Sequence, residues 1–320
     1  MPYVPPEVKE RIKREVSIQR LAEARGIKLH RSGRSLMGLC PFHDDRNPSL
    51  SIDPVKNEWH CFGCDRKGDV IEWVKCAEGV SFHRALELLK RDYVPSAGPV
   101  VKVATVPKLP PLIDPTADDK KLLGVVVDYY NRTLQDSPEA KRYLLKRGLQ
   151  SGEIIDRFKL GYANRTLSLH LPASNRLAGD AQRARLKALG VIRNQTPGHE
   201  HFNGSLVVPV FNLAGDVVEM YGRKIVPNLR TGTDYHTYLP GPHRGVWNEE
   251  SLIASKDIIL CEALIDALTF WVVGYRNVTA SYGTNGFTAD HRAAFQRHGT
   301  ERVYIGTRRA TKPPRSWPRS

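Results

Sequence analysis

The chain has 320 residues, with 48 Lys+Arg against 34 Asp+Glu and a formal net charge of +14. It is long enough to bury more than one core, and its long-range field favours a polyanionic partner, nucleic acid first. Five cysteines in a chain of this length exclude a disulfide framework, and no apolar run reaches a membrane span; with no signal peptide, the reducing cytoplasm is the expected compartment.

Along the chain, Val8, Ile12, Val16, Ile18, Leu21 and Ala22 recur at roughly helical spacing, and Gly26 is placed to end one helix. Cys40-Pro41-Phe42-His43 follows, then 17 residues, then Cys61-Phe62-Gly63-Cys64. Two close pairs of soft or borderline ligands, Cys40 with His43 and Cys61 with Cys64, make a tetrahedral Zn²⁺ site with no position left for water, so the metal is structural. Between the pairs, Ser49 to Pro54 and Glu58 to His60 alternate as a β-hairpin does, and the site should staple a zinc ribbon. Cys76 and Cys261 sit in apolar runs and read as buried free thiols. Asp69 opens a helix and Ser81 caps another running to Arg91, which closes a first domain over residues 1–94. Pro95 to Pro115 then carries six prolines with little periodicity, a semi-rigid linker over 95–116.

A second domain, 117–250, begins with helical patterns over Ala117 to Leu134, Ala140 to Lys146 and Gly152 to Arg157, then a strand over Lys159 to Tyr162. Ser205 to Asn212 and Val217 to Ile225 form a hairpin, with Pro209 marking an edge or a bulge. The third domain, 251–320, alternates strand and helix: Ile258 to Cys261, Ala263 to Val273, Asn277 to Ser281, Thr288 to His298, Arg302 to Ile305. That βαβ spacing predicts a parallel sheet with sites beyond the carboxyl ends of its strands, where Glu262 and the loop after Ser281 fall. The expected fold is multidomain α+β: a zinc ribbon, a basic α+β subdomain and an incomplete α/β subdomain.

These residues carry a family resemblance. Gly38 to His43, Asn47-Pro48-Ser49 and Trp59 to Cys64 resemble the zinc-binding domain of bacterial DnaG-type DNA primases. Leu260 to Leu268 and Ala280 to Gly286 are similar to the opening of a toprim domain. Arg147-Gly148-Leu149, Gly161-Tyr162-Ala163, Tyr221-Gly222-Arg223 and Tyr238 to Gly245 resemble the basic part of the primase core. The resemblance implies RNA-primer synthesis from ribonucleotides on single-stranded DNA, with a replicative helicase and a single-strand-binding protein as partners. It implies that Glu262 is the first of several carboxylates holding Mg²⁺ or Mn²⁺. It sets Arg223 and Arg244 toward nucleotide or template. On the zinc domain, Arg34, Arg46 and Lys67 flank the ribbon, and Trp59 is placed with them as stacking surface, Lys224 being added from the core; Phe62 is assigned to the small core instead.

The toprim pattern requires Asp-x-Asp after Ile305, yet the chain reads Gly306-Thr307-Arg308-Arg309 and holds no carboxylate beyond Glu301. The expectation is a chain of plasmid or mobile-element kind, truncated through a frameshift and catalytically impaired. The alternative is a non-catalytic, zinc-dependent single-stranded DNA-binding module.

Overall fold

The structure is a computed structural model describing residues 5–92, 118–171, 177–194, 199–226, 229 and 231–306. The expected linker 95–116 and the tail 307–320 lie outside the described residues. Helices α1 (Pro6–Glu15) and α2 (Ile18–Ala24) replace the single helix expected from the periodicity. The break has a physical cause in Asn57, whose Nδ2 donates to the carbonyls of Lys13 and Val16, both at 2.7 Å, while its Oδ1 accepts from Ile18 N at 2.9 Å. One side chain thus satisfies the backbone groups that two helix ends leave orphaned, and Ser17 caps the second helix by accepting from Arg20 N.

The ribbon is larger than a hairpin. β1 (His30–Ser32), β2 (Ser35–Gly38), β3 (Leu50–Asp53), β4 (Glu58–Cys61) and β5 (Lys67–Gly68) form an antiparallel meander in chain order. Leu50, Ile52, Trp59 and Cys61 face inward, against α3 (Val70–Glu78) and α4 (Phe82–Asp92). Asp69 caps α3 by accepting from Ile71 N and Glu72 N. Cys76 and Cys261 are buried, and burial pushes both thiols up to about 12.

Next come α5 (Asp119–Gln135), α6 (Pro138–Arg147), α7 (Gly152–Arg157), β6 (Gly161–Tyr162), a 3-10 turn at Leu167–His170, α8 (Leu177–Ala188), β7 (Ser205–Phe211), β8 (Val217–Lys224) and β9 (His236–Tyr238). The strands make an antiparallel sheet in the order β6-β7-β8-β9. Pro209 lies past the reach of β6, which pairs only with Leu206 and Val207, and the β7–β8 register shifts just beyond it, between Val210 and Phe211. The missing N–H therefore costs no ladder bond on that side. α8 and β9 were not foreseen in the sequence.

The last part holds α9 (Glu250–Ala254), β10 (Asp257–Cys261), α10 (Leu264–Val272), β11 (Val278–Ala280), α11 (Ala289–Arg297) and β12 (Arg302–Gly306). β10 is central, parallel to β11 on one side and to β12 on the other. One apolar core runs from Leu206, Val208 and Tyr221 of the antiparallel sheet to Cys261, Leu264 and Val278 of the parallel one. The described residues on the two sides of the expected boundary at 250 therefore share one apolar core.

Trp59 holds the ribbon core: its ring is 2 % exposed, packs edge-on to Trp73 at 5.3 Å and against Phe42 at 4.9 Å, and its Nε1 donates to Asp69 O. Replacing it by alanine removes an aromatic side chain and leaves a cavity, so Trp59→Ala should cost about 3–5 kcal/mol. Thermal or urea unfolding followed by circular dichroism at saturating zinc should report that loss in the zinc domain.

Candidate metal centre and nucleic-acid interface

The four zinc-ligand side chains predicted from spacing converge: one ligand atom from each of Cys40, His43, Cys61 and Cys64 lies within 4.8 Å of all the others. Among the described residues this is the one group of three or more Cys, His, Asp or Glu residues close enough to hold a metal. Cys61 Sγ is 3.7 Å from His43 Nδ1, close to the edge of a tetrahedron built on Zn–S bonds of ~2.3 Å. His43 Nε2 lies 3.5 Å from Asp45 Oδ1, and Asp45 Oδ2 accepts from Cys40 N at 2.8 Å and from Ser49 Oγ at 2.6 Å. Asp45 thus orients both ligands of the first knuckle from behind, a partner that spacing alone did not single out. Phe42 N and Cys64 N donate to Cys40 Sγ and Cys61 Sγ, as amides do in knuckles that stabilise thiolate. Gly63 is required here, because a Cβ on it would stand 2.6 Å from His43 Nε2. The donor set fits a structural Zn²⁺.

Three sulfurs in mutual contact cannot all ionise freely. Contacts from Cys40 and Cys64 hold the Cys61 thiol far below its ordinary value, and contacts with Cys61 and Cys64, together with burial, push Cys40 well above it. Zinc must therefore displace protons, chiefly from Cys40. Acid should weaken the metal site: Co²⁺ or Zn²⁺ affinity is expected to fall steadily below pH 7, with proton release on binding measurable by calorimetry in buffers of different ionisation enthalpy. Chelation should also melt the five-stranded sheet while leaving the rest folded.

Trp59 and Phe62 exchange the roles expected from sequence. Trp59 is buried and so offers no stacking face, whereas Phe62, assigned to the core, is 67 % exposed between the two ligands of the second knuckle. The period of β4 explains this: Trp59 and Cys61 point inward, and the knuckle turns immediately after Cys61. Phe62 packs edge-on to the ring of His60 at 4.5 Å, and His60 pairs through Nε2 with Asp65 Oδ1 at 3.0 Å. Arg34, Arg46 and Lys67 are all exposed, in the β1–β2 turn, the first knuckle loop and β5 respectively. The register sets His60 directly opposite Lys67 on the outer face.

In the core sheet, β8 ends in Arg223 and Lys224, whose side chains leave on opposite faces. Arg223 lies over the ring of Tyr235 at 5.1 Å and donates to His236 Nε2 at 2.5 Å, so the neutral imidazole carries its proton on Nδ1, toward Tyr221 Oη at 2.7 Å. Lys224 Nζ donates to the carbonyl of Asn203, and Arg165 Nε donates to the side-chain oxygen of the same residue. Arg165 adopts φ +70°, a strained backbone for a non-glycine residue. Burial, then Arg193 and Arg165, lower Lys224 to about 8. Arg165 and Arg193 were missed in the sequence because each is an isolated basic residue in its own segment. Arg244 is exposed in the loop that follows β9.

Glu262 stands at the carboxyl end of β10, exposed, with its Oε1 accepting from Thr284 Oγ1 at 2.9 Å and its carbonyl from Gly283 N at 3.0 Å. The loop after β11 therefore wraps the acid. Asp266, in the first turn of α10, is a second carboxylate four residues on in the chain. The described residues at this strand end make no cluster of three carboxylates, so the site does not by itself fit a tightly held Mg²⁺.

Residues 4–97 match the CHC2 zinc finger family, residues 129–253 the N-terminal domain of the DNA primase catalytic core, and residues 259–307 the Toprim-like family. The DNA primase of Halalkalibacterium halodurans is 25% identical over 94% of this chain and 50% of its own length, and that of Helicobacter pylori strain 26695 is 28% identical over 81% and 45%. This chain thus spans about half the length of those curated relatives. The crystal structure of the zinc-binding and RNA polymerase domains of the Aquifex aeolicus primase superposes with a TM-score of 0.49 at 24% identity, covering 94% of this chain and 72% of that one. With the zinc quartet assembled, the chain carries in order a CHC2 zinc finger, the N-terminal domain of the DNA primase catalytic core and a toprim-like segment, and over most of its length it is similar to bacterial DNA primases.

Proposed function

We propose that the chain holds single-stranded DNA as template and takes part in RNA-primer synthesis from ribonucleotides during DNA replication. The observation that carries this reading is the convergence of Arg165 and Lys224 on Asn203 at the end of β8, with the charge of Arg193 acting on Lys224 and with Arg223, the preceding residue, over the ring of Tyr235. A half-buried lysine lowered to about 8 beside two arginines favours a phosphate, which relieves the mutual repulsion. In this reading Arg34, Arg46, Lys67 and Lys224 track the backbone, Phe62 offers a base-stacking face in place of Trp59, and Arg223 and Arg244 meet nucleotide or template. Glu262 serves as the first carboxylate of a Mg²⁺ or Mn²⁺ site whose remaining ligands the described residues do not supply. Residues 1–94 act as the template-gripping module, 95–116 as the linker, and 117–250 with 251–320 as the core. A replicative helicase and a single-strand-binding protein are the implied partners.

A second reading, a zinc-dependent single-stranded DNA-binding module without catalysis, is favoured by one observation: Gly306-Thr307-Arg308 follows Ile305, where the toprim pattern has Asp-x-Asp. Primer synthesis on single-stranded DNA with ribonucleotides and Mg²⁺, compared between the wild type and Glu262→Gln, separates the two. Synthesis lost in the variant supports the enzyme. Salt-sensitive binding with no synthesis in either supports the module.

Binding itself has a signature. Each phosphate contact adds about 0.7 to the slope of log affinity against log salt for a single strand, so the triple variant Arg165→Gln, Arg193→Gln, Lys224→Gln should reduce that slope by about 2. Lys224 carries its charge below about pH 8 and loses it above. Oligonucleotide affinity should therefore weaken from pH 7 to pH 9, and Lys224→Arg should flatten the profile; fluorescence anisotropy at fixed ionic strength reads both.

A further inference from the structure

Glu219 is a carboxylate in the middle of β8, paired across the sheet with Val210 and only 2 % exposed. A buried acid is costly unless donors surround it, and this one has three. Its Oε1 accepts from Met220 N at 2.9 Å and from Leu239 N at 3.0 Å, and its Oε2 from His243 Nδ1 at 3.0 Å. Two of those donors belong to the segment that runs from β9 to Arg244. The carboxylate therefore fixes both ends of a loop that has no strand partner of its own.

His243 passes the constraint on. Its ring stacks on Tyr282 with centroids 4.7 Å apart and planes at 28°, and it meets Tyr238 at 4.5 Å. The Tyr282 hydroxyl lies 2.7 Å from the carbonyl of Arg244 and 2.9 Å from that of Gly245, so its proton bridges the two residues just past His243. From the other side, Asp290 Oδ2 accepts from Gly245 N at 2.7 Å. Tyr282 sits in the turn after β11, closed by Tyr282 N donating to Gly286 O; a Cβ on Gly286 would lie 2.2 Å from the Tyr282 carbonyl carbon, so only glycine fits. The same turn donates to Glu262 through Gly283 N and Thr284 Oγ1.

We propose that Glu219, His243 and Tyr282 are positioning residues that lock the Arg244 loop of the basic core onto the Glu262 loop of the toprim-like segment. A guanidinium and a carboxylate carried on different sheets are then held in fixed relation by one buried acid, one stacked ring and one hydroxyl. The lock is a property of the fold; its role in binding rests on the function proposed above.

Two measurements on the full zinc-loaded chain test it. In hydrogen exchange, His243→Ala should speed exchange of residues 281–286 by about tenfold, the loss of one to two net hydrogen bonds, while β7 and β8 keep their protection. Tyr282→Phe, which keeps the ring and removes only the hydroxyl, should act in the same direction more weakly and covers the case in which His243→Ala fails to fold. Unchanged exchange in Tyr282→Phe overturns the lock. In the second arm, Tyr282→Phe should weaken binding of a single-stranded oligonucleotide about threefold in the wild-type background and not at all when Arg244→Gln is already present. Equal losses in both backgrounds would mean a general loss of structure and would overturn the positioning role. If the wild type itself shows no salt-sensitive binding, the proposed function falls, and exchange alone still decides whether the lock exists.

Discussion

The arrangement of the candidate site depends on one continuous apolar core beneath two sheets. Trp247 lies between them: its ring meets Phe158 at 4.4 Å, and its carbonyl accepts from Thr279 of β11 at 2.5 Å. Phe158 in turn packs edge-on against Trp271 of α10 at 5.2 Å. Aromatic side chains bury large areas in specific geometries, so a core built on three of them resists sliding of one sheet past the other. The sheet that carries β8 and the sheet that carries β10 are thereby held against each other by packing, and the polar contacts among Glu219, His243 and Tyr282 refine an alignment that packing has already made.

The zinc domain solves a different problem. Its five strands are short, and its core is a cluster around Trp59 and Trp73 with two small helical layers. A core of that size is marginal, and the metal supplies the missing constraint by tying both knuckles to one point. Among the described residues its link to the rest includes polar contacts, Arg66 donating to Leu169 O at 2.9 Å as well as to Phe42 O within the ribbon at 3.2 Å, and Ser81 Oγ donating to Glu139 at 3.4 Å, and the Leu169 side chain packs against the zinc domain's apolar cluster.

Much of this was legible before any coordinates. The helices from Asp69 and Thr288 announce themselves by capping residues and apolar period, and the β7–β8 hairpin by its Ala214-Gly215-Asp216 turn. The misjudged places were those where a distant side chain overrides a local pattern. Asn57 splits the first helix from the far side of the ribbon. β9 is a strand because β8 offers it an edge, and its own sequence, His236-Thr237-Tyr238, has little to distinguish it.

The sequence by itself determined the metal quartet, many of the element types and the family resemblance, because knuckle spacing, capping and hydrophobic period act within a few residues along the covalent chain. Only the tertiary structure decided which aromatic is buried, which cations meet and how the two loops lock. Trp59 and Phe62 differ by the direction in which β4 is packed, not by residue type. Arg165 and Lys224 become neighbours only because Asn203 receives both, and Glu219 reads as an ordinary strand acid until the fold closes over it. Burial and convergence are relations between segments far apart in the chain, and they come into being only when the core forms.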